Sequence, residues 1–316
     1  MNILLLGAGY LGTELLGFLP DGDCITVLDH GRNFGRLKKA RSFDQARMQL
    51  FQGDLLDSDL VERLVGEADV VINLTGGGGN AACERDPARS INTYIIGMER
   101  LVRLAERSGV DHFYLSSSIS VYPSPPPGEI LRVTEATPPG PSTLYGILKL
   151  SAERILEESD LDYTIIRLSS IYGSTDLYPA PEGGLFGHLL RALSDGEPLA
   201  IDGDGTQTID YVHIRDVCRC IRMLVSKPSV ERSVFNAGSG TVKQINEIAT
   251  TIIGLAREKL DCSPRVVHRP AWNRILNYPL MSIDLIQKTT GWSPEIGMEQ
   301  GLGEMLAAYA RFHHQP

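Results

Sequence analysis

Tyr145 and Lys149 stand four residues apart, a spacing that stacks both side chains on one helix face. An ammonium beside a phenol favours the phenolate, so the pair predicts a Tyr145 pKa below the usual value of about 10. That would make Tyr145 a proton donor or acceptor near neutral pH. Such a pair on its own is more often solvated or packed than catalytic. Its weight comes from two other stretches. Ser116-Ser117-Ser118-Ile119-Ser120 runs off the end of an apolar strand at 112–115. Gly7-Ala8-Gly9-Tyr10-Leu11-Gly12 lies between an apolar strand at 2–6 and a helical stretch at 13–19. Strand, glycine turn and helix form the context of a dinucleotide site. Gly7 permits the tight turn, Gly9 lets backbone approach a pyrophosphate at the positive helix end, and Gly12 lets helix and strand pack closely.

The elements that must position these residues follow in order. A second strand at 24–28 ends in Asp29, a carboxylate able to accept from both ribose hydroxyls and to repel a 2′-phosphate. NAD is therefore favoured over NADP, with Arg32, Lys38 and Lys39 keeping NADP open. A third strand at 48–51 leads to Gly53-Asp54-Leu55, where Asp54 can accept from an adenine amino group, and a helix follows at 57–67. A fourth strand at 69–74 runs into Thr75 and the glycines 76–79, placing backbone close beneath a cofactor. Helices are expected at 91–108 and 143–158, with a strand at 163–168. Strand-helix units of about 30 residues predict a doubly wound α/β parallel sheet. Residues 1–173 with about 206–238 read as the dinucleotide domain. Residues of about 174–205, with a helix near 186–193, and 239–316 read as a smaller lobe. The crevice between them is the expected substrate site.

Composition narrows the function classes. With 316 residues and a net charge of −9, the chain is large enough for one big or two unequal domains and offers no general nucleic-acid surface. No apolar run reaches membrane-span length. The first strand begins at once without a basic leader, so no signal peptide is expected. Cys24, Cys83, Cys218, Cys220 and Cys262 read as reduced packing residues of a cytoplasmic protein, without a metal site.

Several pieces in order carry a family resemblance: Gly7 to Gly12, Asp29, Gly53-Asp54, Asn92, Ser116 to Tyr122, Tyr145 with Lys149, Arg167 to Gly173, Asp202 to Gly205, Asp210 to His213, Asn236 to Ser239, and Gly291-Trp292. Together they resemble the extended short-chain dehydrogenase/reductase superfamily, in its NAD-dependent epimerase/dehydratase branch, over nearly the whole chain. The resemblance implies a Rossmann-type doubly wound parallel sheet with a smaller C-terminal substrate-binding lobe. It implies NAD held by Gly7, Gly9, Tyr10, Leu11, Gly12, Asp29, Asp54, Leu55, Leu74, Thr75, Gly76 and Asn92, with Tyr145 and Lys149. Counted back from Tyr122, the catalytic serine would be Ser118, with Ser120 as its alternate. Tyr145 would be the acid/base, Lys149 would bind the nicotinamide ribose, and a hydride would pass between substrate carbon and nicotinamide.

Substrate contacts would come from Ser118, Ser120, Ser170 and Arg274. This half departs from nucleotide-sugar members: Ile209 replaces an arginine, Asn277 an acidic residue, Ser170 an asparagine and Pro123 a glycine. Arg215 and Arg269 are further candidate cations. The sugar dehydratases carry Asp-Glu where this chain has Ile119-Ser120, which disfavours dehydration. The reading is an NAD-dependent epimerase of a nucleotide-linked sugar, resembling the 4-epimerases. The alternative is a ketoreductase or dehydrogenase of a substrate without a nucleotide handle, and the third reading is a non-catalytic cofactor-binding regulator. The family pairs into homodimers through helices equivalent to 91–108 and 143–158, where Ala152, Ile155 and Leu156 face either a partner or their own sheet.

Overall fold

Ile3 and Leu5 of the first strand point into one hydrophobic core, and Leu4 and Leu6 into another. That is why the run is continuously apolar: the strand is buried on both faces. In the computed structural model the described residues are 1–316 apart from 33, 39, 41, 42, 77, 174–183, 227–231, 271–275 and 314–316. The main sheet has seven strands: β1 (Asn2–Leu6), β2 (Cys24–Asp29), β3 (Met48–Gln52), β4 (Val70–Asn73), β5 (His112–Ser118), β6 (Tyr163–Leu168) and β7 (Ser233–Ala237). Their spatial order is β7-β6-β5-β4-β1-β2-β3, with every pair parallel. The order reverses between β1 and β4, and ligand crevices open at such switch points.

Helices cover both faces. α1 (Tyr10–Leu15) and α7 (Ile214–Val225) pack on one side; α2 (Ser58–Val65), α4 (Met98–Ser108) and α5 (Leu144–Glu157) pack on the other. Between them lies the short α3 (Gly79–Arg85). A third core joins α6 (Gly184–Asp195), α8 (Ile245–Leu260) and α10 (Met298–His313). The stretch between the last two departs from the expectation that residues beyond about 240 build mainly the smaller lobe. There α9 (Asp284–Thr290) and Trp292 belong to the sheet's core. The Trp292 indole donates to the Asp216 carbonyl at 2.9 Å, which satisfies its N–H inside apolar surroundings.

The helix expected at 91–108 is divided. Pro87–Ile91 is α-helical, Asn92–Gly97 forms a π-helix, and α4 follows. The wide turn carries Tyr94 inward, where it is buried. Ala152 and Leu156 face their own sheet, and Ile155 packs against the same core. All five cysteines are free, but Cys24 is exposed and so does not serve as a packing residue. No metal-binding cluster occurs among the described residues, and none of their helices is long and apolar enough to cross a membrane.

Candidate active site

The glycine turn builds one end of the site. Gly7 adopts φ +96°, a conformation glycine enters without steric cost. A Cβ on Gly12 would lie 2.0 Å from the Gly7 carbonyl oxygen, whereas a Cβ on Gly9 would meet nothing within 4 Å. Gly12 thus seals the turn from behind, and Gly9 faces open space. A cleft of about 870 Å³ extends from here, lined by Gly7, Gly9, Asp29, Asp54, Leu55, Leu74, Thr75 and Gly76. The Asp29 carboxylate accepts from the Ala8 and Gly31 amides, both at 3.0 Å. This fixes it at the β2 end with lone pairs left for a ribose. A glycine cradle, an anchored carboxylate and a long cleft fit a dinucleotide.

Some expected contacts are arranged differently. Tyr10 lies outside the cleft lining and donates its hydroxyl to the Gly173 carbonyl. Asn92 is exposed and lines neither cavity; its neighbours Thr93 and Tyr94 line the cleft. Asp54 accepts from the Leu56 amide at 3.0 Å and from Arg89 at 2.7 Å, so its oxygens already have partners. Arg32, Arg85 and Arg89 line this end as well.

The cleft meets a second crevice of about 470 Å³, and the two share Leu74, Thr75 and Gly76. Leu11, Ser118, Ser120, Tyr145, Lys149 and Ser170 line this crevice. Ser118 stands where β5 ends and its hydroxyl accepts from the Ser120 amide at 3.1 Å. Thr143 caps α5 by accepting from Gly146, a common way to satisfy a helix's free first amides. Gly146 lets the helix start press against the serine turn: a Cβ there would be 2.2 Å from the Ser120 carbonyl oxygen. The Tyr145 phenol and Ser118 consequently line the same crevice, where the Ser118 hydroxyl favours the phenolate.

The electrostatics differ from the sequence expectation. Burial pushes Tyr145 up to about 12, opposed by the neighbouring Ser118 hydroxyl. The lysine does not reverse this, because its ammonium donates to the Ser116 carbonyl at 2.7 Å and lies 5.9 Å from the Tyr145 ring centre. Burial in turn lowers Lys149 to about 8, with Glu153 working in the opposite direction.

Glu153 continues the helical face begun by Tyr145 and Lys149. It is fully buried, accepts from Ser117, and receives Arg167 Nε at 3.0 Å and Nη2 at 2.7 Å. Arg167 also donates to the Tyr122 hydroxyl at 2.9 Å, and Tyr122 donates to Asn236 at 2.8 Å. This buried network ties α5 to β5, β6 and β7 beneath the crevice. Its signal in the sequence was an acidic residue four positions beyond Lys149, on the buried helix face, where it needs a cationic partner. Tyr94 was also missed. Its hydroxyl donates to the Gly76 carbonyl and its ring lies 5.2 Å from the Lys149 ammonium. Asn80 and Tyr278, two further crevice residues, had no signal in local spacing.

The opposite wall is more apolar, with Ile171, Leu185, Phe186, Ile209 and Tyr211. Arg215 pairs with Glu304, and Arg269 pairs with Asp202 at 2.5 Å; neither lines the crevice. Arg274 lies outside the described residues. Asn277 is buried and accepts from the Thr208 amide at 3.1 Å.

A parallel sheet with a glycine cradle at its switch point, joined to a crevice holding serine, tyrosine and lysine, defines a Rossmann-type dinucleotide-dependent enzyme. The chain belongs to the NAD-dependent epimerase/dehydratase family, whose model matches residues 3–238, and NAD is the family's cofactor. It is 27% identical to a UDP-glucose 4-epimerase of Mycolicibacterium smegmatis over 97% of each chain. It is also 27% identical to a dTDP-glucose 4,6-dehydratase of Streptomyces niveus, covering 98% of this chain and 93% of that one. Among solved structures, UDP-glucose 4-epimerase of Thermotoga maritima with UDP-glucose superposes with a TM-score of 0.85 at 25% identity, covering 99% of this chain and 100% of that chain.

Proposed function

We propose that this protein is an NAD-dependent epimerase of a nucleotide-linked sugar. The observation that carries the reading is the convergence of Ser118, Tyr145 and Lys149 at the mouth of the glycine-lined cleft. Ser118 orients the reacting hydroxyl or keto oxygen, and Tyr145 exchanges a proton with it. Lys149 contributes the positive charge nearest the phenol and binds the nicotinamide ribose. Bound NAD supplies the redox chemistry. No carboxylate lines the catalytic crevice among the described residues, which favours epimerisation over dehydration. The smaller core around α8 and α10 forms the substrate lobe, and the homodimer forms through the π-helix, α4 and α5. Replacing Tyr145 with Phe should abolish interconversion of the sugar epimers while NAD stays bound. Full activity of that variant refutes the mechanism.

A second reading is a reductase or dehydrogenase of a substrate without a nucleotide handle. One observation favours it: Lys149 is the sole cationic side chain lining the catalytic crevice among the described residues, and Ile209 lines it without charge. A diphosphate is normally met by guanidinium groups. Thermal shifts with UDP, dTDP, GDP, CDP and ADP in the presence of NAD separate the readings. A ligand at 100 times its dissociation constant adds about 2.7 kcal/mol. A shift with one nucleotide supports the epimerase. A shift with none, together with net NADH formation from a hydroxy substrate, supports the second reading.

A further inference from the structure

The Lys149 ammonium stands over two phenol rings, 5.2 Å from the centre of Tyr94 and 5.9 Å from that of Tyr145. The rings meet edge to face, with centres 6.2 Å apart and planes at 79°. They reach the ammonium from different elements. Tyr145 shares α5 with Lys149, whereas Tyr94 comes from the π-helix. Tyr94 lines the glycine-lined cleft, while Lys149 and Tyr145 line the catalytic crevice. The Tyr94 ring thus stands at the boundary of the two cavities, beside Gly76, which lines both.

The Tyr94 ring is fixed on several sides. Its hydroxyl donates to the Gly76 carbonyl. Gly76 makes room by adopting φ +94°, and a Cβ there would lie 2.0 Å from the Tyr94 hydroxyl. The ring packs in a small core with Cys83 of α3 and Leu148 of α5. Burial, with Tyr145 nearby, keeps the Tyr94 phenol protonated, so it is no counter-ion for the lysine. What it offers the ammonium is the negative face of the ring, an attraction that strengthens away from water.

Lys149 is 4% exposed and needs such a partner. Among the described residues its one hydrogen-bond acceptor is the Ser116 carbonyl, at 2.7 Å. The titratable groups that face it are Tyr145 and Glu153 on its own helix, Tyr94 on the π-helix and Cys83 on α3. Glu153 is the carboxylate among them, and Arg167 already engages it through Nε and Nη2. A further carboxylate would neutralise the ammonium and occupy its protons. A ring face attracts the charge and leaves N–H groups free for an oxygen ligand. We infer that Tyr94 is the positioning residue for Lys149, its ring face holding the ammonium charged at the boundary of cleft and crevice with N–H groups left for the cofactor's ribose. This inference rests on the proposed role of Lys149 at the nicotinamide ribose.

The test changes the charge distribution of the ring while keeping its shape. Calorimetric NAD titrations between about pH 6 and pH 10 compare wild type, Tyr94→Phe, Lys149→Met and protein carrying pentafluorophenylalanine at position 94, whose ring face is electron-poor. Melting temperature near pH 10, where Lys149 carries little charge, checks the fold. Burial places Lys149 at about 8, so wild-type affinity should fall as pH rises through that value, and Lys149→Met should show no such step. Loss of a desolvated cation–π contact lowers an ammonium pKa by about one unit. The fluorinated protein should therefore bind NAD about fivefold more weakly than wild type near pH 8 and almost equally near pH 6. Tyr94→Phe should keep the wild-type step, because its ring face remains negative. A step unmoved by fluorination, or moved as far by Tyr94→Phe, overturns the inference and leaves the role of Lys149 standing. Equal weakening at every pH also overturns it, because a purely structural ring would give that result. A wild type without the step refutes the role of Lys149, and the inference falls with it. The titrations contain no sugar, so failure of the epimerase reading would leave their outcome unchanged.

Discussion

Glu153→Gln tests whether the buried network beneath the crevice holds the catalytic helix in place. Glu153 is fully buried and Arg167 is 4% exposed. The substitution preserves shape but leaves the Arg167 guanidinium without a counter-charge. It also removes the charged acceptor of the Ser117 hydroxyl. Arg167 retains the Tyr122 hydroxyl at 2.9 Å and a long contact to the Glu135 carbonyl at 3.5 Å, neither of which carries charge. Removing one partner of a buried ion pair costs about 3–5 kcal/mol. At about 2 °C per kcal/mol for a chain of this size, the melting temperature should fall by about 6–10 °C. Calorimetry of the apo protein at pH 7 reads this directly. Glu153→Met with Arg167→Met should recover most of the loss, because two apolar groups of similar volume avoid both desolvation costs. A drop below about 2 °C in the single variant would mean that water or another group neutralises Arg167, and the reasoning would fail.

Three further outcomes follow from the same structure. Lys149 has a pKa of about 8 in the fold against 10.5 as its ordinary value. The unfolded chain therefore holds the proton more tightly, and the buried ammonium reduces stability below about pH 8, an effect that fades as pH rises toward 10.5. Lys149→Met should stabilise the apo protein at pH 7 by up to about 3 kcal/mol while abolishing turnover, with the gain shrinking toward pH 10; an equal gain at both pH values contradicts the burial argument. Gly12→Ala should prevent folding, because its Cβ would collide with the Gly7 backbone, whereas Gly9→Ala should leave the apo melting temperature unchanged and weaken NAD; calorimetric NAD titration of Gly9→Ala at wild-type affinity would displace the pyrophosphate from this turn. Ile96 and Ile147 are 44% and 49% exposed on adjoining helices, so Ile96→Glu with Ile147→Glu should convert the proposed dimer to a 34.6 kDa species by analytical ultracentrifugation; a wild type already monomeric refutes the dimer.

The order of elements was legible in the sequence because it is local. Leu4, Leu5 and Leu6 declare a strand buried on both faces, and the glycine turn after them depends only on backbone freedom within six residues. Asp29 and the serine run at 116–118 could be located because strand ends face the ligand site whatever lies farther along the chain; the choice of Ser118 within that run came from the family resemblance. The spacing of Tyr145 and Lys149 put both side chains on one helix face, since helical periodicity is itself local, and both line the crevice.

Their protonation was another matter. Tyr145 is pushed to about 12 and Lys149 drawn to about 8 by desolvation, which depends on every element packed around them and outweighs a neighbour's charge. Asn92 came from the family resemblance; in the structure it is exposed, and Thr93 and Tyr94 of the π-helix line the cleft. Tyr278 reaches Asn80 across 198 positions, a distance over which spacing carries no information. Sequence determined which backbone conformations and buried faces were possible, because those arise within a few residues. Tertiary packing decided which side chains meet and which charges persist, because both depend on excluding water by groups far apart in the chain.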